Sequence, residues 1–130
     1  MSDLFSSFSI AASGMEAQAR RLRHVSENIS NADTPGYRRK TIDFRAEIDR
    51  ASGASRVELG PVQLDRRELP RIYDPGHALA DESGFFDGST VDLMIEVADA
   101  REAARSYEAN LRVFDQTRQM AQGLLDLLRR

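Results

Sequence analysis

Apolar residues recur along the N-terminal part of the chain in alternating steps of four and three. Leu4, Phe8, Ala11, Met15, Leu22, Val25 and Ile29 make up the series, and Gln18 is its single polar member. A repeat of about 3.5 residues is the period of a helix packed lengthwise on another helix. Asn28, Asn31 and Asp33 then crowd the end of the pattern. Thr34-Pro35-Gly36-Tyr37 suits a type II turn, with Pro at the second position and Gly at the third. The pattern predicts a helical segment over 1–33 whose apolar stripe is too narrow to form a core alone. It needs another helix, in this chain or in a neighbour.

The other end of the chain carries the same period. Val97, Ala100, Ala104, Tyr107, Leu111, Phe114, Ala121, Leu125 and Leu128 step by three and four, with Arg118 as the one polar intruder. Ser89 or Thr90 is the expected cap, and Ser89-x-x-Asp92 fits a capping box. Glu108 precedes Arg112 by four, the favoured order for an intrahelical pair, and Arg129 and Arg130 complement a helix C-terminus. The expected fold is mainly α: helical segments at 1–33 and 89–130 packed as an antiparallel coiled coil and forming one domain. Segment 34–88 lies between them. Helices of about 30 and 40 residues span roughly 45 and 60 Å, far beyond the roughly 14 Å radius of gyration of a compact chain this long. Breaks at Gly14 and Gly123 would give a compact bundle instead, but Gly costs a helix only about 1 kcal/mol. A rod-shaped subunit of an assembly is the expectation.

The middle is different in kind. Tyr37 to Ile48 is predicted extended, with Ile42, Phe44 and Ile48 apolar, and Ala51 to Ser55 is a small-residue loop tip. Val57 and Leu59, then Val62 and Leu64, alternate on either side of Gly60-Pro61, a hairpin signal. Leu69, Ile72 and Tyr73 suggest one more strand, Asp74-Pro75-Gly76-His77 a turn, and the stretch to Gly84 a loop.

Composition narrows the chemistry. The net charge is −3 with both signs interspersed, which does not mark a nucleic-acid binder. Arg20, Arg21, Arg23 and His24, then Arg38, Arg39 and Lys40, form two basic clusters, but Arg21 and Arg23 lie on different sides of a helix. Solvated faces or ion pairs explain them better. There is no Cys, hence no disulfide, thiolate ligand or thiol nucleophile. His77 lies in sequence near Asp74, Asp81 and Glu82, but a zinc site wants a second His or a Cys, and a polar loop explains the same residues. No nucleophile–base arrangement, phosphate loop or membrane-spanning run is present. No enzymatic activity and no cofactor or metal are expected. No basic region precedes the first apolar stretch, so no cleavable secretory signal is expected either.

The segment Ala12-Ser13-Gly14-Met15-x-Ala17-Gln18, leading to Asn28-Ile29-Ser30-Asn31-Ala32-Asp33-Thr34-Pro35-Gly36-Tyr37, resembles the N-terminal signature of the bacterial flagellar rod and hook proteins. Ala104-Arg105-Ser106-Tyr107-Glu108-Ala109-Asn110 followed by Val113-Phe114 is similar to that family's closing helix. The run from Tyr73-Asp74-Pro75-Gly76-His77 to Gly84 is similar to the segment that marks its proximal rod protein C branch. Glu27 stands where the family usually has Asn, and Asp87-Gly88-Ser89-Thr90 replaces a usual Pro-Asn entry to the last helix. The resemblance implies a structural subunit of the hollow rod, the drive shaft between motor and hook, required for flagellum assembly and motility. Its implied partners are copies of itself, other rod proteins, the junction with the membrane ring and, during secretion, the flagellar type III export apparatus. It implies a place in the basal body, reached without a cleaved signal peptide. A coiled-coil adaptor or helical-bundle regulator is the alternative that the residues alone leave open.

Overall fold

The computed structural model describes residues 2–130, and two long helices dominate it. The first, α1, spans Ser2–Ser30 and the last, α2, spans Leu93–Leu128. Between them lie β1 (Lys40–Ile48), β2 (Ser55–Leu64), β3 (Arg71–Tyr73) and β4 (Phe85–Asp87), paired as two antiparallel ribbons, β1 with β2 and β3 with β4. The helices pack antiparallel: Phe8 meets Phe114 edge-to-face at 5.0 Å between ring centroids, and Asn28 hydrogen-bonds Glu96 at 3.2 Å. Neither glycine breaks its helix. A Cβ on Gly14 would lie 2.7 Å from the Asn110 side chain, so Gly14 marks the point where the helices approach too closely for any larger residue.

The local chemistry explains the ends of the elements. Helix α1 gives way to turns stitched by side chains: Asn31 Nδ2 donates to the Glu27 carbonyl, and Thr34 Oγ1 donates to Asn31 Oδ1. The Thr34–Tyr37 turn closes as anticipated, with Tyr37 N–H donating to Thr34 O at 3.1 Å and Gly36 at φ +74°. The cap of α2 differs from the expectation. Asp92 is the N-cap, its carboxylate accepting from Met94 N–H, while Ser89 and Thr90 precede the helix. Thr90 is engaged elsewhere: its Oγ1 accepts from Arg39 N–H at 2.8 Å. The Glu108–Arg112 ion pair does not form among the described residues; both side chains are exposed, where water competes effectively for each charge.

The hairpin also differs. Gly60-Pro61 does not reverse the chain; it sits inside β2 opposite Asp43, two residues facing one, as a β-bulge. Proline has no N–H for the ladder, so a bulge tolerates it. A Cβ on Gly60 would meet the Asp43 carbonyl at 3.3 Å. The reversal lies instead at Asp49–Ala54, where Asp49 accepts from Ala51 N–H and the Ser52 hydroxyl and Gly53 adopts φ +68°. Residues 85–87, which the sequence left without an element, form β4 because β3 needs a partner strand. In this small lobe Tyr73 packs on Phe85, and His77 stacks on Phe86 with centroids 3.9 Å apart.

Candidate functional site: the helix seam and its polar knot

On α2 the residues buried deepest against α1 are not the apolar line that the periodicity picks out. On α2 the buried residues are Glu96, Ala103 and Thr117, with Asn110 half-buried in the same seven-residue line. On α1 the corresponding line is Asn28, Arg21 and Gly14, flanked by buried Ala11, Ala17 and Val25. Asn28 pairs with Glu96, and Gly14 abuts Asn110, so the contacts advance by fourteen residues on each helix, 28 to 14 and 96 to 110. The register is therefore constant along the pair. Small and polar residues fill its centre, so the helices lie close.

The apolar line sits one residue further on. Ala100, Tyr107, Phe114 and Ala121 are half-buried and flank the seam. Val97 and Leu111 remain 43% and 40% exposed, and Ala104, Leu125 and Leu128 are exposed as well. On α1, Ala11 and Val25 are buried, Leu4, Phe8, Met15 and Leu22 half-buried, and Ile29 exposed. Met94, Met120, Leu124 and Leu127 extend the uncovered apolar surface along α2. The structure thus brings only part of each predicted seam together and leaves the rest facing outward.

One end of the pair is closed by a polar knot. The Asn28 amide, 1% exposed, donates to Lys40 O at 2.9 Å and to Glu96 Oε2 at 3.2 Å. Its Oδ1 accepts from Lys40 N–H and from the Tyr37 hydroxyl, both at 2.9 Å. Glu96 is fully buried. Its other oxygen takes the Arg39 guanidinium, which also reaches Asp99 at 2.6 Å. Arg21 bridges Asp99 and Glu102 at 3.3 and 3.4 Å. A buried carboxylate is tolerable only when paired and hydrogen-bonded in this way. Glu27 takes the Lys40 ammonium at 2.5 Å. That hydrogen bond holds the Glu27 carboxyl below its ordinary range and raises Lys40, while burial raises the Tyr37 hydroxyl.

The other motif residues fall in two places. Asn31, Thr34, Gly36 and Tyr37 build the turn beneath the knot, and Thr90 N–H donates to Tyr37 O at 3.0 Å, joining the entry of α2 to it. Tyr73, Asp74, Pro75, Gly76 and His77 belong to the lobe of β3 and β4, where Asp74 O accepts from His77 N–H. His77 Nδ1 accepts from Leu79 N–H at 3.1 Å. Asp81 accepts from the Ser83 and Phe85 amides and pairs with Arg71; the Phe85 amide, with Arg71, lowers its carboxyl. No group of three His, Cys, Asp or Glu that would hold a metal occurs among the described residues. Tyr107 and Asn110 line the seam, while Glu108 faces solvent. Glu96, Arg39, Asp99, Ala103 and Thr117 escape a search for apolar repeats. For Glu96, Ala103 and Thr117 the signal is a second seven-residue line, polar or small, one residue ahead of the apolar one; Arg39 and Asp99 carry no such periodic signal.

Comparison with known proteins bears directly on these two ends and the turn between them. Residues 8–38 match the flagella basal body rod protein family, and residues 82–127 match the flagellar basal body rod FlgEFG protein C-terminal family. Over 136 aligned residues the chain is 47% identical to the flagellar basal-body rod protein FlgC of Agrobacterium fabrum, covering 99% of this chain and 98% of the relative. It is 34% identical to the FlgC protein of Aquifex aeolicus, over 92% of this chain and 93% of the relative. It is 30% identical to that of Salmonella typhimurium, over 90% and 92%. The chain, with its paired terminal helices and knotted turn, belongs to the flagellar basal-body rod protein FlgC family.

Proposed function

We propose that this chain is a structural, non-enzymatic subunit of the proximal rod and transmits motor torque through helix packing. The observation that carries this reading is the division of labour on α2. Toward α1 it turns Glu96, Ala103, Asn110 and Thr117, flanked by Ala100, Tyr107 and Phe114, while large apolar side chains such as Val97, Leu111, Met120, Leu124 and Leu128 stay outside the seam. Exposed apolar surface on this scale marks an interaction face. In the proposal, Leu111, Val97, Ala104, Leu125, Leu128 and Ile29 meet helices of neighbouring subunits, both copies of this chain and other rod proteins. The terminal helices act as one domain, and segment 34–88 covers the outside. Head-to-tail contacts that do not close generate a helical tube. Among the described residues no helix is long and apolar enough to cross a membrane; in the proposal the chain meets the membrane-ring junction without inserting. Delivery through the flagellar type III export apparatus completes the proposal.

The test is genetic and biochemical together. Deleting the gene should abolish hooks and motility, complementation should restore them, and the chain should be detected by immunoblot in purified hook–basal bodies. Normal hooks in the deletion strain, or a chain absent from purified basal bodies, would overturn the reading.

A further inference from the structure

Helix α2 carries two adjacent heptad lines competing for the same partner. The line Glu96–Ala103–Asn110–Thr117 faces α1; the line Val97–Ala104–Leu111, one residue further on, does not. Ala100, Tyr107, Phe114 and Ala121 flank the seam and would serve either line. Turning α2 by less than about 100°, the angle between successive residues, would exchange them. As far as Leu111, before Arg118 interrupts it, the second line is the better core on apolar burial alone. Something other than hydrophobicity must hold the first one in. The fully buried Glu96 lies at the head of that line, clasped by Arg39, just before β1, and Asn28 from α1. Rotation would break both contacts and leave Glu96 unpaired, a large penalty for a buried charge. Buried polar groups used in this way select one packing among several close alternatives.

We propose that the Glu96–Arg39–Asn28 knot is a rotational lock that stops α2 from burying its own Val97–Ala104–Leu111 line and so keeps that face available to a neighbouring subunit. The availability clause rests on the rod-subunit reading; the lock itself is a property of the single chain. The knot sits at the junction of both helices and β1, where it resists rotation of α2 about its axis. The Asn28 contacts to Lys40 and Tyr37 do not involve Glu96, so the turn keeps these anchors when the lock is removed.

The chain contains no cysteine, so an introduced Cys is its only thiol. Ala103→Cys and Ala104→Cys report the buried and exposed lines with minimal change in volume. In the full-length isolated chain, position 104 should react with a maleimide roughly tenfold or more faster than position 103. In the double variant Glu96→Ala/Arg39→Met, which removes both charges together without giving the first line a large apolar residue, the order should reverse. Adding Leu111→Asn to that variant should restore the original order by making the competing line polar. An unchanged order in the double variant would overturn the proposal. So would equal labelling of both positions at the unfolded-chain rate, since the knot would then hold the helices together without choosing a face. Because labelling needs no neighbouring subunit, its result is independent of whether the exposed line docks in a rod.

Discussion

Replacing Gly14 by Ala tests the closeness of the helix seam. Taken alone, Ala in a helix interior is favoured over Gly by about 1 kcal/mol. The seam opposes that gain. A Cβ at position 14 would lie 2.7 Å from Asn110 Oδ1 and 2.8 Å from its Cγ and Nδ2. All three terminal atoms are in the way, so rotating the amide does not clear the space. Either Asn110 abandons its rotamer, with the hydrogen bond from its Nδ2 to Ser106 O at 3.0 Å, or the helices separate locally. Overpacking of this kind costs about 1–3 kcal/mol. The expected net effect of Gly14→Ala is a loss of roughly 1 kcal/mol, the difference of these two terms. In an Asn110→Ala background the obstructing atoms are gone and the helix preference remains. The same substitution should then stabilise by about 1 kcal/mol, a reversal of sign and a coupling of roughly 2 kcal/mol. Urea unfolding of the four chains followed by circular dichroism measures both. If Gly14→Ala stabilises equally in the two backgrounds, the helices do not approach at this point and the polar seam is wrongly placed.

In cells, Leu111→Asp should leave export intact but abort rods early, since losing a leucine buried against a neighbouring subunit costs about 2–5 kcal/mol; Arg112→Ala, on an exposed position, should be nearly silent, as counts of secreted subunit and completed hooks will report. Acid should destabilise the chain through carboxyls held low in the folded state: Glu27 by Lys40, Asp65 by Arg67, Asp49 by Ser52 and Asp81 by the Phe85 amide. Their contribution is complete above the ordinary values of 4.5 for Glu and 3.8 for Asp and is lost as pH falls through the lower folded values; a urea midpoint that stays flat from about pH 5 to pH 3 would contradict this. Lys40 and Tyr37, both raised, place the opposite loss at alkaline pH, above the ordinary tyrosine value of 10.0. His77→Ala with Asp81→Ala should leave metal content at background and loosen only the β3–β4 lobe, where Asp81 holds two backbone amides; elemental analysis of the purified chain and hydrogen exchange over 71–87 check the two halves of that statement.

The period-3.5 pattern located both long helices, and Pro35-Gly36 the turn after the first, because these are dictated by local periodicity and backbone chemistry within a few residues; the antiparallel pairing followed from two matching seams at the two ends of one short chain. It also marked a turn at Asp74–His77, where the aspartate and glycine act locally. What it did not decide is which line of α2 turns inward. Periodicity ranks lines by apolar content, and by that measure Leu111 belongs inside and Glu96 outside. The structure chooses otherwise because Glu96 finds Arg39 and Asn28, residues distant in sequence, and because Gly14 and Ala103 permit an approach that bulkier residues forbid. The cap of α2 followed the same rule: Thr90 suits a cap by type, but its hydroxyl is taken by Arg39 and Asp92 caps instead. Gly60-Pro61 has turn chemistry, yet pairing with β1 on both sides keeps the strand running through it as a bulge. Local sequence set the elements; pairing between distant polar groups and the space between backbones, which exist only once the chain has folded, set the faces they present.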